Sequence, residues 1–163
     1  MTQYSIIVAA DESYGIGINN ILPWHISEDL KHFKQLTTDH TVLMGYNTWL
    51  SLPKKPLPKR TNIILTSKNI KIDGVIILHS IDEAIQYCQP YSEVFIIGGQ
   101  QIYKQFFPIA TKLYFTKVHH IFKTDTKLEG FNPHEWQLLK EELFDANEQR
   151  SFSFSFLEYD RIM

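Results

Sequence analysis

Val94-Phe95-Ile96-Ile97-Gly98-Gly99-Gln100-Gln101-Ile102-Tyr103 is an apolar run that stops at two glycines and passes into a helical pattern halted at Pro108. A short apolar run without polar alternation suits a strand buried on both faces, and a strand that turns directly into a helix is the unit of a parallel sheet. The same unit recurs outward from this stretch. Strand-like runs lie at residues 5–10, 41–46, 62–66, 75–79, 94–97 and 113–118. Helical patterns separate several of them, most clearly at Ser80-Ile81-Asp82-Glu83, a capping-box spacing that opens a helix over 81–88 before Pro90. Runs at 136–139 and 153–159 close the chain with no helix between them, which predicts an antiparallel edge. The fold class is therefore α/β, with a mixed, mostly parallel sheet flanked by helices.

The two glycines place bare backbone at a helix start, where free N–H groups and the positive helix end suit a phosphate; a simple turn is the competing reading. Met44-Gly45-Tyr46-Asn47-Thr48-Trp49 repeats the junction with an amide and a hydroxyl at the helix entrance, so the pair could hold a pyrophosphate. Gly15-Ile16-Gly17-Ile18-Asn19-Asn20 nearly matches the dinucleotide fingerprint but lacks its last glycine, and Pro23 interrupts any helix. That segment is expected to form a mobile loop, part of an irregular stretch over 11–26.

Beyond it, Ser27 is expected to cap a helix that carries Glu28 and Asp29 in its first turn. Helical spacing stacks Asp29, Phe33 and Leu36 on one stripe with Leu30 beside them, while Glu28, Lys31, His32 and Gln35 take the other side. An acid on an apolar stripe has a raised pKa and can serve proton chemistry or grip a cationic ring; alternatively it only favours the helix dipole. Arg60 ends a proline-rich loop over 53–60 and could clamp a carboxylate, or lie on the surface.

Composition bounds the rest. With 163 residues and 44% hydrophobic content, the chain is expected to form one domain over 1–163. Sixteen basic against 18 acidic residues give a net charge of −2 and no global reason to bind nucleic acid or an anionic membrane. No apolar run approaches the ~20 residues of a membrane span, and no basic leader is evident. The single cysteine, Cys88, excludes an internal disulfide and fits a reducing cytoplasm. No metal spacing appears among the seven histidines, and the adjacent His119 and His120 are expected on the surface.

Taken in order, Ile7-Val8-Ala9, Gly17, Leu22-Pro23-Trp24, Asp29-Leu30, Phe33-Lys34, Met44-Gly45, Thr48-Trp49, Pro56-Leu57-Pro58, Arg60, Asn62-Ile63-Ile64-Leu65, Ile97-Gly98-Gly99, Tyr103 and Thr116 resemble the bacterial dihydrofolate reductase family across nearly the whole chain. The resemblance implies an eight-stranded sheet, with a folate in one half of a cleft and NADPH in the other. It implies hydride transfer to dihydrofolate and protonation of the adjacent nitrogen, giving tetrahydrofolate. By the same resemblance Asp29 would grip the pterin, with Thr116 bonded to its carboxylate and Trp24 helping to hold a water. Ile7 and Ala9 would line the pterin pocket. Leu30, Phe33, Leu52, Leu57, Ile97 and Tyr103 would complete the folate wall, and Arg60 would bind the glutamate tail. The cofactor would run along Ala9, Ile16, Gly17, Gly45, Tyr46, Asn47, Thr48 and Leu65, and then along Gly98, Gly99, Gln100, Gln101 and Ile102. The segment 11–26 would be the lid, and the protein is expected to act as a cytoplasmic monomer.

Two departures stand out. Relatives often carry arginines for the cofactor's extra phosphate where this chain has Tyr46 and Gln101; Thr66, Ser67, Lys68 and His79 are the candidates to replace them. A well-studied relative has glycine where this chain has Thr124. The rival readings are a same-fold pyrimidine reductase of flavin biosynthesis and a non-catalytic binding module. The latter would expose the alternating Phe152, Phe154 and Phe156; core burial of that face is the simpler expectation.

Overall fold

A computed structural model describes residues 1–163. Its centre is an eight-stranded sheet built from β1 (Gln3–Ala10), β3 (Thr41–Gly45), β4 (Thr61–Leu65), β5 (Val75–Leu78), β6 (Glu93–Ile96), β7 (Lys112–His119), β9 (Trp136–Phe144) and β10 (Ser153–Arg161). The spatial order is β5-β4-β3-β6-β1-β7-β10-β9. The first six of these are parallel, and β10 enters antiparallel between β7 and β9. The antiparallel edge is therefore as expected, and the later of the two strands is the inner one.

Alternation along β1 divides the core. Ile6, Val8 and Ala10 face a large cluster with Phe106, Phe107, Leu113 and Phe115, covered by α3 (Ile81–Tyr87) and α4 (Gln100–Phe106). Ile7 and Ala9 face the opposite side, where Trp49 of α2 (Tyr46–Ser51) and Leu36 of α1 (Ser27–Thr37) pack on Val42, Met44, Ile64 and Phe95. Trp24, Ile26, Val118 and Phe154 extend that second side. Phe154 is fully buried and stacks on Phe144 at 4.8 Å, while Phe156 stacks on His32 at 4.1 Å. The phenylalanine alternation is thus a core face, as the periodicity implies.

The helix starts are chemically distinct. Ser80 Oγ accepts from Glu83 N at 3.1 Å, as the capping-box spacing requires. Ser27, by contrast, is the first helical residue and not the cap: Ile26 holds the extended cap position with no side-chain bond, and the Ser27 hydroxyl donates to Glu28. Burial of Ile26 under Trp24 anchors this end by packing instead.

A second, two-stranded sheet pairs β2 (Gly15–Gly17) with β8 (Thr126–Lys127). It ties the irregular segment 11–26 to the connection after β7. Asp11, 1% exposed, accepts from Ser13 N, Gly15 N and Phe122 N, and Asp125 accepts from Asn19 N at 2.9 Å. At the tip, Ile18 and Ile21 bond reciprocally around Asn19 and Asn20, both with positive φ, in a tight hairpin turn. His119 is not the free surface residue its sequence suggests: Nδ1 meets Glu12 Oε1 at 3.0 Å and Nε2 meets Ser155 Oγ at 2.8 Å. His120 is exposed.

Candidate active site

All six parallel strands deliver their C-terminal ends to one edge, where a crevice forms between the helices and loops that follow them. Asp29 lies at one end. Its Oδ1 accepts from Thr116 Oγ1 at 2.6 Å, and Thr116 is held in β7 between Ala9 of β1 and Phe156 of β10. Burial pushes the Asp29 carboxyl up from 3.8 to about 6, against the opposing pull of the Thr116 bond. The apolar-stripe argument therefore gives the right environment, and the dipole reading alone does not account for it. Removing the hydroxyl should push this titration higher still. Thr116→Val is expected to raise it by roughly one pH unit, as loss of a bond to a charged group predicts; carbon NMR of labelled aspartate reads the shift directly.

Phe33 and Leu36 continue the stripe half-buried, and Leu30 is open to the crevice at 54% exposure. Leu52, Leu57 and Ile97 lie on the same side of the sheet. Arg60 stands at the far end of this wall with its guanidinium 5.9 Å from the Phe33 ring. Its Nε donates to Pro58 O and its Nη1 to Thr37 Oγ1, which presents the planar cation without a carboxylate partner. Thr37, buried in the last turn of α1, was not legible as a site residue, since a lone threonine carries no signal of its own. Arg150 was equally silent: it reaches from beyond β9 to Glu28 at 3.1 Å and fixes the first turn that carries Asp29.

The two glycine junctions meet. Gly45 N donates to Gly98 O at 2.8 Å; a Cβ on Gly45 would lie 3.1 Å from Ile102 Cγ1, and one on Gly99 3.5 Å from Thr48 Oγ1. Gly98 has φ +117°, and a Cβ there would sit 3.1 Å from the Tyr103 hydroxyl. A side chain is thus excluded at Gly98 by its positive φ and crowded at Gly45, while one at Gly99 would make an ordinary contact, and the starts of α2 and α4 converge on backbone that fits a pyrophosphate. Tyr103 is 6% exposed and donates to Ile7 O at 2.7 Å, so it braces β1 rather than offering a free hydroxyl. Ile16 packs against the main core, and Gly17 accepts from Asp125 N at 3.0 Å. Leu65 is buried at the end of β4; Thr66, Ser67 and Lys68 follow it, with His79 alongside at the end of β5. Asn47 and Gln101 are exposed, and Gln100 donates to Lys127 O and Glu129. The hairpin tip at Asn19, Asn20 and Ile21 shares a cavity of about 200 Å³ with Asn47, Leu50 and Ser51 of α2, so the irregular segment overhangs the crevice.

Trp24 is 7% exposed and its Nε1 has no acceptor, a buried donor that calls for a water or ligand. No group of three or more His, Cys, Asp or Glu side chains could hold a metal ion, and no helix is long and apolar enough to cross a membrane.

Comparison with known proteins agrees with this arrangement. The family model for dihydrofolate reductase matches residues 3–161. The dihydrofolate reductase of Bacillus subtilis is 37% identical over 158 residues, 96% of this chain and 94% of its own length. That of Staphylococcus haemolyticus is 39% identical over 159 residues, 97% of this chain and 95% of its own. A solved dihydrofolate reductase from Enterococcus faecalis, complexed with NADP(H) and RAB-propyl, superposes with a TM-score of 0.91 at 32% identity, covering 99% of this chain and 97% of that one. An α/β sheet with this strand order, one half-buried acid at its crevice and relatives matched along almost their full length lead to one conclusion: the chain belongs to the dihydrofolate reductase family.

Proposed function

We propose that this chain reduces 7,8-dihydrofolate to tetrahydrofolate with NADPH, and that the observation carrying this reading is the half-buried Asp29 carboxyl bonded to Thr116. When bound, the dinucleotide supplies the hydride. Asp29 holds the proton side of the reaction: with its pKa lifted to about 6 it can carry a proton close to neutrality and grip the pterin's amino group and ring nitrogen. The unpaired Nε1 of Trp24 supports a water held beside it. Ile7, Ala9, Leu30, Phe33, Leu52, Leu57 and Ile97 form the apolar wall that excludes bulk water, with Tyr103 bracing Ile7 from behind.

Gly45, Tyr46, Asn47, Thr48, Gly98, Gly99, Gln100, Gln101 and Ile102 would hold the dinucleotide's pyrophosphate region, and Ala9, Ile16 and Gly17 its nicotinamide end. Leu65, Thr66, Ser67, Lys68 and His79 would hold the adenosine end. One chain supplies every one of these groups, which supports a monomeric single domain over 1–163. The lone free thiol, Cys88, is buried and fits a cytoplasmic setting. A pyrimidine reductase is not favoured, because the Asp29, Phe33 and Arg60 combination serves a pterin with an acidic tail.

Arg60→Gln is expected to raise KM for dihydrofolate by roughly tenfold or more with little change in kcat, as loss of a charge-assisted clamp on a remote carboxylate requires. A pterin substrate without the glutamate tail should be indifferent to the change. The deciding assay is loss of nicotinamide absorbance with dihydrofolate, run in parallel with NADPH and NADH. Turnover that requires dihydrofolate supports the reading, and a folded sample without turnover overturns it.

A further inference from the structure

Helix α1 begins without a side-chain cap to hold its first turn. Ile26 at the cap position offers no side-chain oxygen, and the first backbone bonds run from Asp29 N and Leu30 N to Ile26 O at 3.1 and 3.2 Å. A tie to this turn comes instead from 122 residues further along the chain, where Arg150 Nη1 donates to Glu28 Oε2 at 3.1 Å and to Oε1 at 3.4 Å.

Arg150 is held rigidly for that reach. It closes the connection between β9 and β10, in which Asn147 N donates to Arg150 O at 2.9 Å, Arg150 N to Asn147 O at 3.2 Å, and Gln149 N to Asn147 Oδ1 at 2.9 Å. Its guanidinium donates from Nη2 to Asp145 O at 2.8 Å and from Nε to Phe152 O at 3.2 Å, and lies 4.6 Å from the centre of the Phe154 ring. The residue is 9% exposed. A planar fork with partners on its edges and an aromatic ring on its face keeps a long side chain in one position.

These contacts bracket Asp29. Glu28 precedes it directly, and its own backbone N–H, followed by Arg150, holds the Glu28 carboxyl below its usual value. Phe154 belongs with Trp24, Ile26 and Val118 to the cluster on which the start of α1 rests. Asp29 itself meets Thr116 Oγ1 at 2.6 Å, a bond that a displacement of about 1 Å would break. Arg150 forms no hydrogen bond or ion pair with Asp29, so any influence on it passes through the turn.

We propose that Arg150 is a positioning residue for the reaction, holding the uncapped first turn of α1 so that Asp29 stays at the crevice in contact with Thr116. This rests on the reading of Asp29 as the acid that meets the pterin, and it extends the working site to the turn between β9 and β10.

Two variants separate position from charge. Arg150→Gln combined with Glu28→Gln loses one charge of each sign and frees the turn, and Arg150→Lys keeps the charge but loses the fork. In the double variant water reaches the Asp29 carboxyl, whose titration, about 6 in the wild type, should fall by roughly one pH unit, as carbon NMR of labelled aspartate reads. Its kcat/KM for dihydrofolate should fall roughly tenfold at neutral pH, while Kd for NADPH from fluorescence quenching changes less than about twofold. Arg150→Lys, which disturbs the hairpin less, should move both readouts in the same direction, with a loss in kcat/KM of about threefold or more. A lower melting temperature with the Asp29 titration and the dihydrofolate kinetics unchanged is what a merely structural arginine would give, and it overturns the proposal while leaving the reductase reading intact. Wild-type protein that is folded and does not turn over dihydrofolate overturns both.

Discussion

Asp29→Asn is expected to lower turnover at neutral pH by about 100-fold or more and, at the same time, to make the protein more stable. The first effect follows from the carboxyl's position at the crevice: asparagine keeps the shape and the bond to Thr116 but cannot release a proton. The second follows from the direction of the pKa shift. In the unfolded chain the carboxyl titrates near 3.8, whereas in the fold it titrates near 6. Below 3.8 both states are protonated and the buried acid is tolerated in full. As pH rises through 6, the folded state must ionise a half-buried group that the unfolded chain ionises freely, and up to about 3 kcal/mol of stability is lost. Asparagine escapes that loss, so its advantage in melting temperature should be absent below about pH 4 and level off above about pH 7. Wild-type turnover, when limited by the protonated form, should fall about tenfold per unit above pH 6 and be flat in the variant. A variant with normal activity, or one with no stability gain at any pH, would refute the assignment.

Gly15→Val should detach the overhanging segment from its support. A Cβ at Gly15 would lie 2.5 Å from Thr124 Oγ1, 2.6 Å from Cγ2 and 2.9 Å from Cβ, so three atoms of a branched side chain stand where the new methyl groups must go. Overpacking of this kind costs about 1–3 kcal/mol. The pairing between β2 and β8 is only three residues against two and has no reserve to absorb that cost. Turnover is expected to fall at least about tenfold, and the amides of Gly15 and Gly17 should exchange much faster with solvent. Thr124→Gly alone removes a hydroxyl that is buried without a partner and opens space above Gly15, so its effect should be small. The double variant should recover most of the pairing, giving a coupling of about 1 kcal/mol or more. Additive effects of the two changes would show that the contact does not hold the segment.

The parallel half of the fold was legible because its strands are buried on both faces: 43–44, 63–65 and 94–96 read as apolar runs, and the first and last of them stop at or just before glycines that open helices. Strand β9 was underestimated, at four residues against nine, because its exposed stretch alternates leucine with charge on neither face. The pair β2 and β8 was missed altogether. Gly-Ile-Gly and Thr-Lys have no periodicity, and their pairing depends on Asp11 and Asp125 bonding to backbone about a hundred residues away. The site followed the same rule. Asp29 could be found from its own helix, since burial there is a matter of spacing, whereas Thr37, Arg150 and the Glu12–His119–Ser155 chain matter only through partners that a linear reading does not bring together.

The interior position of β10 has a kinetic consequence. It is the last strand of the sheet in chain order, yet β7 and β9 have no partner on that side without it. During synthesis the six parallel strands and β9 emerge first, leaving the β7 edge with unpaired backbone groups beside Val118 and Phe115. Closure waits for residues 153–161, and until then that edge can pair with any extended segment nearby, including its counterpart on another nascent chain. Refolding from denaturant should accordingly be slow for a chain of this size and yield more monomer in dilute solution, with Phe154 among the last side chains to be buried.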